Sequence, residues 1–193
     1  MDKKNLIDLL ENSTEISINL NLDTAETFKE IEKDLKKKFS SIVKVDTGSK
    51  VFFVADPYLN LEPDLKDFSK IVSNSVFAAN KLGVEKVKAA VLSAVELVNL
   101  NMESSVFGAV AEAMGKRGQF GKNTFVEGPL SMDVAVSEEA AKEKKVFTDV
   151  SGKANVLIAH YPSIAKGIVE AMEFLGFKTE KFLTDGNKVF KIV

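Results

Sequence analysis

The sequence predicts an α/β fold, a three-layer sandwich in which helices cover both faces of a mostly parallel sheet. From residue 50 onward, apolar strands alternate with amphipathic helices, the order expected of that architecture. Lys88–Val95 is apolar without the in-out alternation of a half-exposed strand, which fits burial on both faces of a parallel sheet. With 193 residues, 45% hydrophobic and 28% charged, the chain can bury one substantial core.

Taken in order, Lys3–Asn12 sets Leu6, Ile7, Leu9 and Leu10 among charges, a short helix. Thr14–Leu20 alternates Ile16, Ile18 and Leu20, a half-buried strand. Asp23 to Glu26 carries a capped helix start, and the helix runs to about Phe39. Lys36, Lys37 and Lys38 suit its last turn, where cations meet the helix dipole; a basic phosphate patch is the competing reading. Ser41–Val45 and Lys50–Ala55 form a hairpin about Thr47-Gly48. A helix follows from Pro63 to Leu82, with Leu65, Phe68, Val72, Val76 and Ala79 as its core stripe and Gly83 as its cap. After the Lys88–Val95 strand, a helix over about Ser104–Lys116 is expected to bury Val106, Phe107, Val110 and Met114. A strand at Thr124–Val126, a helix through Glu138-Glu139, a strand at Asn155–Ala159 and a helix at Ile164–Leu175 come next. Two closing strands meet about Asp185-Gly186. The pattern changes near residues 46–50, so residues 1–49 are expected to be a small α+β piece packed on a main domain of residues 50–193.

Composition removes several classes of function. A net charge of −2 without a basic arm disfavours nucleic acid and anionic membrane as partners. Without cysteine there is no thiol nucleophile, thiolate metal site or disulfide. No His/Asp/Glu spacing suggests a metal site, and no dinucleotide or P-loop fingerprint is present. The amino terminus is too polar for a signal peptide and no apolar run reaches membrane-spanning length, so a cytoplasmic location is expected. Of 26 basic residues only Arg117 is an arginine, the residue suited to bidentate capture of phosphate.

The stretch that carries the functional argument is Phe125–Ala141, FVEGPLSMDVAVSEEAA. A strand runs through Glu127-Gly128-Pro129 toward a helix. Glycine there lets a backbone approach a bound group, and proline fixes the entry to the helix. The unpaired amides of the first helical turn can face an anion. The segment is similar to the GPL-hydrophobic-D-x-A-hydrophobic-SEEAA segment of the phosphate acetyltransferase and phosphate butyryltransferase family. Phe52–Asp64, Asn74–Gly83, Val87–Met102, Arg117-Gly118-Gln119 and Val150–Ile158 resemble further family segments in the same order. Together they span roughly residues 50–160 and resemble the family's second domain, which implies the isocitrate-dehydrogenase-like form of the three-layer fold. The family's first domain, its acidic loop at the place of His160–Gly167 and its late S-R-A-D-S segment find no counterpart in this reading.

The resemblance implies reversible transfer of a short acyl group, acetyl or butyryl, between CoA and inorganic phosphate. CoA is then a substrate and no cofactor is needed. It implies Asp133 and Glu96 as the catalytic pair, orienting CoA. Asn99, Arg117, Gln119, Gly128, Pro129 and Ser131 would be substrate-binding, with Arg117 on the anion. Acyl-CoA and phosphate are the expected small-molecule partners, and a homo-oligomer could complete the cleft. The alternative is a catalytically degenerate relative that binds CoA or a protein partner without turnover. His160, the only histidine, follows a buried strand; it is read as satisfying local groups, with a catalytic base as the alternative. Glu138 and Glu139 are read as solvated helix face, and Asp149 and Asp185 as turn acids.

Overall fold

A computed structural model describes residues 3–193. The helices are α1 (Lys3–Asn12), α2 (Leu22–Leu35), α3 (Leu65–Lys81), α4 (Glu103–Lys116), α5 (Met132–Val136), α6 (Glu138–Glu143) and α7 (Pro162–Phe174). The strands are β1 (Glu15–Ile16), β2 (Ser40–Asp46), β3 (Val51–Ala55), β4 (Val87–Leu92), β5 (Thr124–Leu130), β6 (Val156–Ala159), β7 (Lys178–Thr184) and β8 (Val189–Ile192). They form one 8-stranded sheet in the order β1-β8-β7-β2-β3-β6-β4-β5. Strands β3, β6, β4 and β5 are parallel, whereas β2 pairs antiparallel with β3 and β7, and β7 with β8.

The central strands bury both faces, as their apolar runs require. In β4, Ala89 and Val91 face one layer while Ala90 and Leu92 face the other; β6 divides Val156 and Ile158 from Leu157 in the same way. Phe68, Ile71, Val72, Val76 and Ala79 of α3, with Phe107 and Ala111 of α4, cover the first face. Ala165 and Val169 of α7, with Val134 and Ala135 of α5, cover the second. Helices α1 and α2 close a further cluster with Ile16, Leu183 and Phe190.

Because β3, β6, β4 and β5 run parallel, the chain leaves them along one edge of the sheet, at Asp56, His160, Ser93 and Ser131 respectively. Asp56 is a buried hub there. It accepts the amides of Ser41 (2.9 Å) and Leu59 (3.3 Å) and bonds from the Ser41 hydroxyl and the Asn60 amide, while burial raises its pKa.

Several local expectations are corrected. The strand expected over Thr14–Leu20 is a strand only at Glu15–Ile16, because its partner β8 ends at Ile192. The cap of α2 is Asn21, whose side chain accepts from the amide of Thr24, and the helix stops at Leu35 because Lys36 turns left-handed. Its lysines are taken up by acids, Lys37 by Asp185 (2.6 Å) and Lys38 by Glu32 and Asp67 (both 3.0 Å). Gly128 and Pro129 lie within β5, joined by a cis peptide bond, rather than at a helix entry. The following helix is two short ones, broken at Ser137, whose side chain caps α6 at Ala140 (3.2 Å). The carbonyls of Val134 and Ala135 accept instead from Gly152 (2.7 Å) and Ala154 (3.0 Å), so the break does not leave those two acceptors orphaned. In α4 only Phe107 of the expected core residues is fully buried; Met114 is half-buried and packs against the core, while Val106 and Val110 are half-exposed in an outer groove.

Candidate active site

The loop after β4 and the turn after β5 are tied together from the backbone outward. The amide of Ser93 donates to the carbonyl of Leu130 (2.9 Å), and the Ser105 hydroxyl bonds both the amide and the carbonyl of Asn99. That fixes the loop carrying Glu96. Gly128 allows β5 to lie against α4: a Cβ built on it would fall 2.8 Å from the Val91 Cβ and 2.9 Å from the Gly108 Cα. The absent side chain therefore admits the protein's own backbone, and the Gly128 amide donates to Glu112 (3.3 Å).

Beyond Pro129, the Ser131 hydroxyl does not cap α5 but bonds Glu96 and Asp133, the latter at 2.5 Å. The ammonium of Lys144, delivered from the end of α6, lies 3.0 Å from the Glu96 carboxylate, from the Ser131 hydroxyl and from Asp133. The Ser131 hydroxyl and then Lys144 hold the Asp133 pKa down at about 2, against an ordinary 3.8. The same two groups lower Glu96, and the two acids raise Lys144. Both carboxylates are thus anionic near neutrality and poor bases; they suit holding and orienting rather than proton abstraction.

Glu96, Arg117, Gly128 and Pro129 line one open depression of about 370 Å³, with Ala109, Glu112, Ala113 and Lys116 of α4 between them. Arg117 ends α4; its guanidinium donates to the carbonyl of Ala113 (3.0 Å) and is paired with no carboxylate among the described residues. A contiguous groove of about 400 Å³ is lined by Val98, Val106, Ala109, Val110, Ala113, Met114, Arg117 and Gln119. Asn99 is exposed, its side-chain oxygen accepting from the Asn101 amide of its own loop (3.0 Å). Glu96, Ser131 and Asp133 are therefore bonded together, Arg117, Gly128 and Pro129 share the depression, Gln119 lies in the adjoining groove, and Asn99 serves its loop. Lys144 was missed in the sequence; its one signal is a lysine ending the helix that Ser137 caps. His160 is buried, its ring 4.1 Å from that of Phe107 and its Nε2 3.3 Å from Glu103, which also accepts the Tyr161 hydroxyl (2.9 Å). Its partner is thus a side chain rather than a local backbone group.

The sequence profile described as "Phosphate acetyl/butaryl transferase" matches residues 20–171. The chain belongs to this family. A probable phosphate butyryltransferase of Bacillus subtilis is 42% identical over 127 residues, which is 66% of this chain and 42% of that protein. The phosphate butyryltransferase of Clostridium acetobutylicum is 37% identical over 145 residues, covering 75% of this chain and 45% of the relative. The phosphate acetyltransferase of Thermotoga maritima is 33% identical over 149 residues, 77% of this chain and 50% of the relative. The chain thus spans half or less of the length of these curated relatives. Among solved structures, a branched-chain phosphotransacylase from Enterococcus faecalis superposes with a TM-score of 0.81 at 24% identity, over 99% of this chain and 71% of that one. That likeness is one of fold, and it agrees with the α/β sandwich and mostly parallel sheet. No helix among the described residues is long and apolar enough to cross a membrane.

Proposed function

We propose that this protein transfers a short acyl group between CoA and inorganic phosphate, with acetyl- or butyryl-CoA as the acyl donor. The observation that carries the proposal is the depression at the flank of α4, where Glu96, Arg117, Gly128 and Pro129 come together beside the Ser131–Asp133–Lys144 cluster. In the forward direction a phosphate oxygen attacks the thioester carbonyl, the C–S bond breaks, and CoA leaves as the thiolate, which takes up the proton that the hydrogen phosphate gives up. Without cysteine the chain offers no thiol to carry an acyl intermediate, which supports direct attack. Arg117, with donors to spare, holds the phosphate. Glu96 and Asp133, kept anionic by Ser131 and Lys144, position the polar groups of CoA. Lys144 joins the candidate site as the residue that positions both acids.

The test is CoA thiol release from butyryl-CoA and acetyl-CoA with and without phosphate. Phosphate-dependent release is expected, and Arg117→Ala should lower it about a hundredfold, the cost of losing a charge-stabilising contact of about 3 kcal/mol. Absence of release with retained CoA binding would overturn catalysis in favour of a binding protein.

A further inference from the structure

The only histidine of the chain stands where packing alone would favour a hydrocarbon. His160 follows β6 and is 3% exposed, its ring 4.1 Å from that of Phe107, 4.4 Å from Tyr161 and 5.7 Å from Phe68. Its Nδ1 is sealed from solvent and has no hydrogen-bond partner among the described residues. A buried polar atom left in that state costs stability, and a phenylalanine would fill the same aromatic cage without it. What the imidazole adds is Nε2, which donates to the Glu103 carboxylate at 3.3 Å; the Tyr161 hydroxyl donates to the same oxygen at 2.9 Å. Those bonds, the tyrosine's first, hold the Glu103 carboxyl below its ordinary range, so it is an anionic acceptor near neutrality.

We propose that His160 is a positioning residue for the candidate active site, acting through Glu103 on the loop of residues 93–102 that carries Glu96. Helix α4 begins after Met102, which offers no side-chain cap, whereas α2 and α3 are capped by Asn21 and Asp64. Its first turn is tied instead to the ends of two strands. The Ser104 hydroxyl lies 3.0 Å from that of Ser93, after β4, and Glu103 is clasped by His160 and Tyr161, after β6. From the same turn the Ser105 hydroxyl accepts the Asn99 amide (2.9 Å) and donates to the Asn99 carbonyl (2.8 Å). Asn99 in turn shares its loop with Glu96, whose carboxylate meets Lys144 at 3.0 Å and the Ser131 hydroxyl. The clasp therefore reaches Glu96 through one helical turn and one serine grip. Released from His160, the Glu103 side chain, already 60% exposed, is free to rotate into water, and the turn keeps the serine tie to β4. A buried nitrogen without a partner is the kind of local concession that folds make where a site must be held in place. The acyl-transfer reading enters only in naming CoA as what Glu96 meets; the restraint on the loop belongs to the fold.

His160→Phe separates this role from packing. The variant should unfold at a urea midpoint no lower than that of the wild type, yet exchange the amide protons of Asn99 and Met102 faster. It should bind CoA about tenfold more weakly in calorimetry, the counterpart of one hydrogen bond to a charged group. In thiol release the KM for acyl-CoA should rise by the same factor while half-saturating phosphate holds, since Arg117 stands at the opposite end of α4. His160→Gln, whose amide N–H lies as many bonds from the backbone as Nε2, should restore both exchange and affinity. Wild-type exchange or wild-type CoA affinity in His160→Phe would overturn the proposal. So would a lowered urea midpoint with no rescue by glutamine, which would leave the ring to packing. A wild type that binds CoA but releases no thiol with phosphate would defeat acyl transfer, and the affinities of the variants would still decide the clasp. A wild type that binds no CoA refutes both.

Discussion

Gly128→Ala is the sharpest test of how β5 and α4 are held together. The new Cβ would sit 2.8 Å from the Val91 Cβ, 2.9 Å from the Gly108 Cα and 3.0 Å from the Val91 carbonyl oxygen. Carbon atoms rest comfortably at about 3.5–4.0 Å, and none of these three is the free end of a side chain that can swing aside. Helix α4 must therefore lift from β5, against the buried packing of Phe107 and Ala111. Overpacking of this kind costs about 3 kcal/mol, the upper part of the usual range. Gly108→Ala meets the same surface from the other side, 2.9 Å from the Pro129 nitrogen, but regains up to about 1 kcal/mol of helix propensity, for a net loss of about 2 kcal/mol. Once the helix has lifted for one methyl group the second adds little, so the double variant should lose about 3–4 kcal/mol rather than the sum. Urea unfolding followed by circular dichroism reads these losses. With a slope of about 2 kcal/mol per molar, Gly128→Ala should lower the midpoint by about 1.5 M. Gly167→Ala, in α7 with nothing within 4 Å of the new Cβ, should raise stability by about 0.5–1 kcal/mol. A Gly128→Ala midpoint equal to wild type, or strict additivity with Gly108→Ala, would refute the close-contact explanation.

Asp56→Ala strips the partner from the buried amides of Ser41 and Leu59 and from the Ser41 hydroxyl, and should cost more than about 3 kcal/mol in urea unfolding. The Asp133 carboxyl should titrate at about 2 in a carbon-detected pH series, and Lys144→Met should move that titration upward. Since the folded pKa lies below the unfolded one, the pair's stabilisation is fully present above about pH 3.8 and is lost as pH falls through about 2; solvent exposure keeps it small. Lys144→Met should weaken CoA binding in calorimetry more than it lowers thermal stability, whereas a Lys144 confined to surface pairing would leave binding unchanged.

Much of the fold was legible because each element carried its own period. The unbroken apolar run of β4 and the stripe of α3 led to a buried parallel strand and a core helix, and both are there. Errors arose where a distant partner decided the outcome. Nothing in Thr14–Leu20 reveals that β8 stops at Ile192, so pairing is confined to Glu15–Ile16. Nothing in the segment after Ser131 shows that Gly152 and Ala154 will take the carbonyls of Val134 and Ala135 and so break the helix at Ser137. The sequence marks Gly128 as a place of close approach to a bound group, while the neighbours that the fold puts against it are Val91 and Gly108, which no local pattern reveals. The same holds for Lys144: only the fold brings it to Glu96, across 48 residues, and no local pattern marks it.

The charges around the depression sharpen what recognition there demands. Lys144 is committed to Glu96 and Asp133, and Lys116 is bonded to Glu112. Acids and cations in this group balance, so the surface has little net pull on an incoming phosphate, and Arg117 is left as the cation without an acid. In an open depression facing water, one guanidinium holds phosphate weakly, because the interaction is divided by a high dielectric constant. Enclosing the same guanidinium strengthens it severalfold without any new residue. Phosphate affinity is therefore expected to be weak and screened by salt, so raising the ionic strength should raise the phosphate concentration needed for half-maximal thiol release.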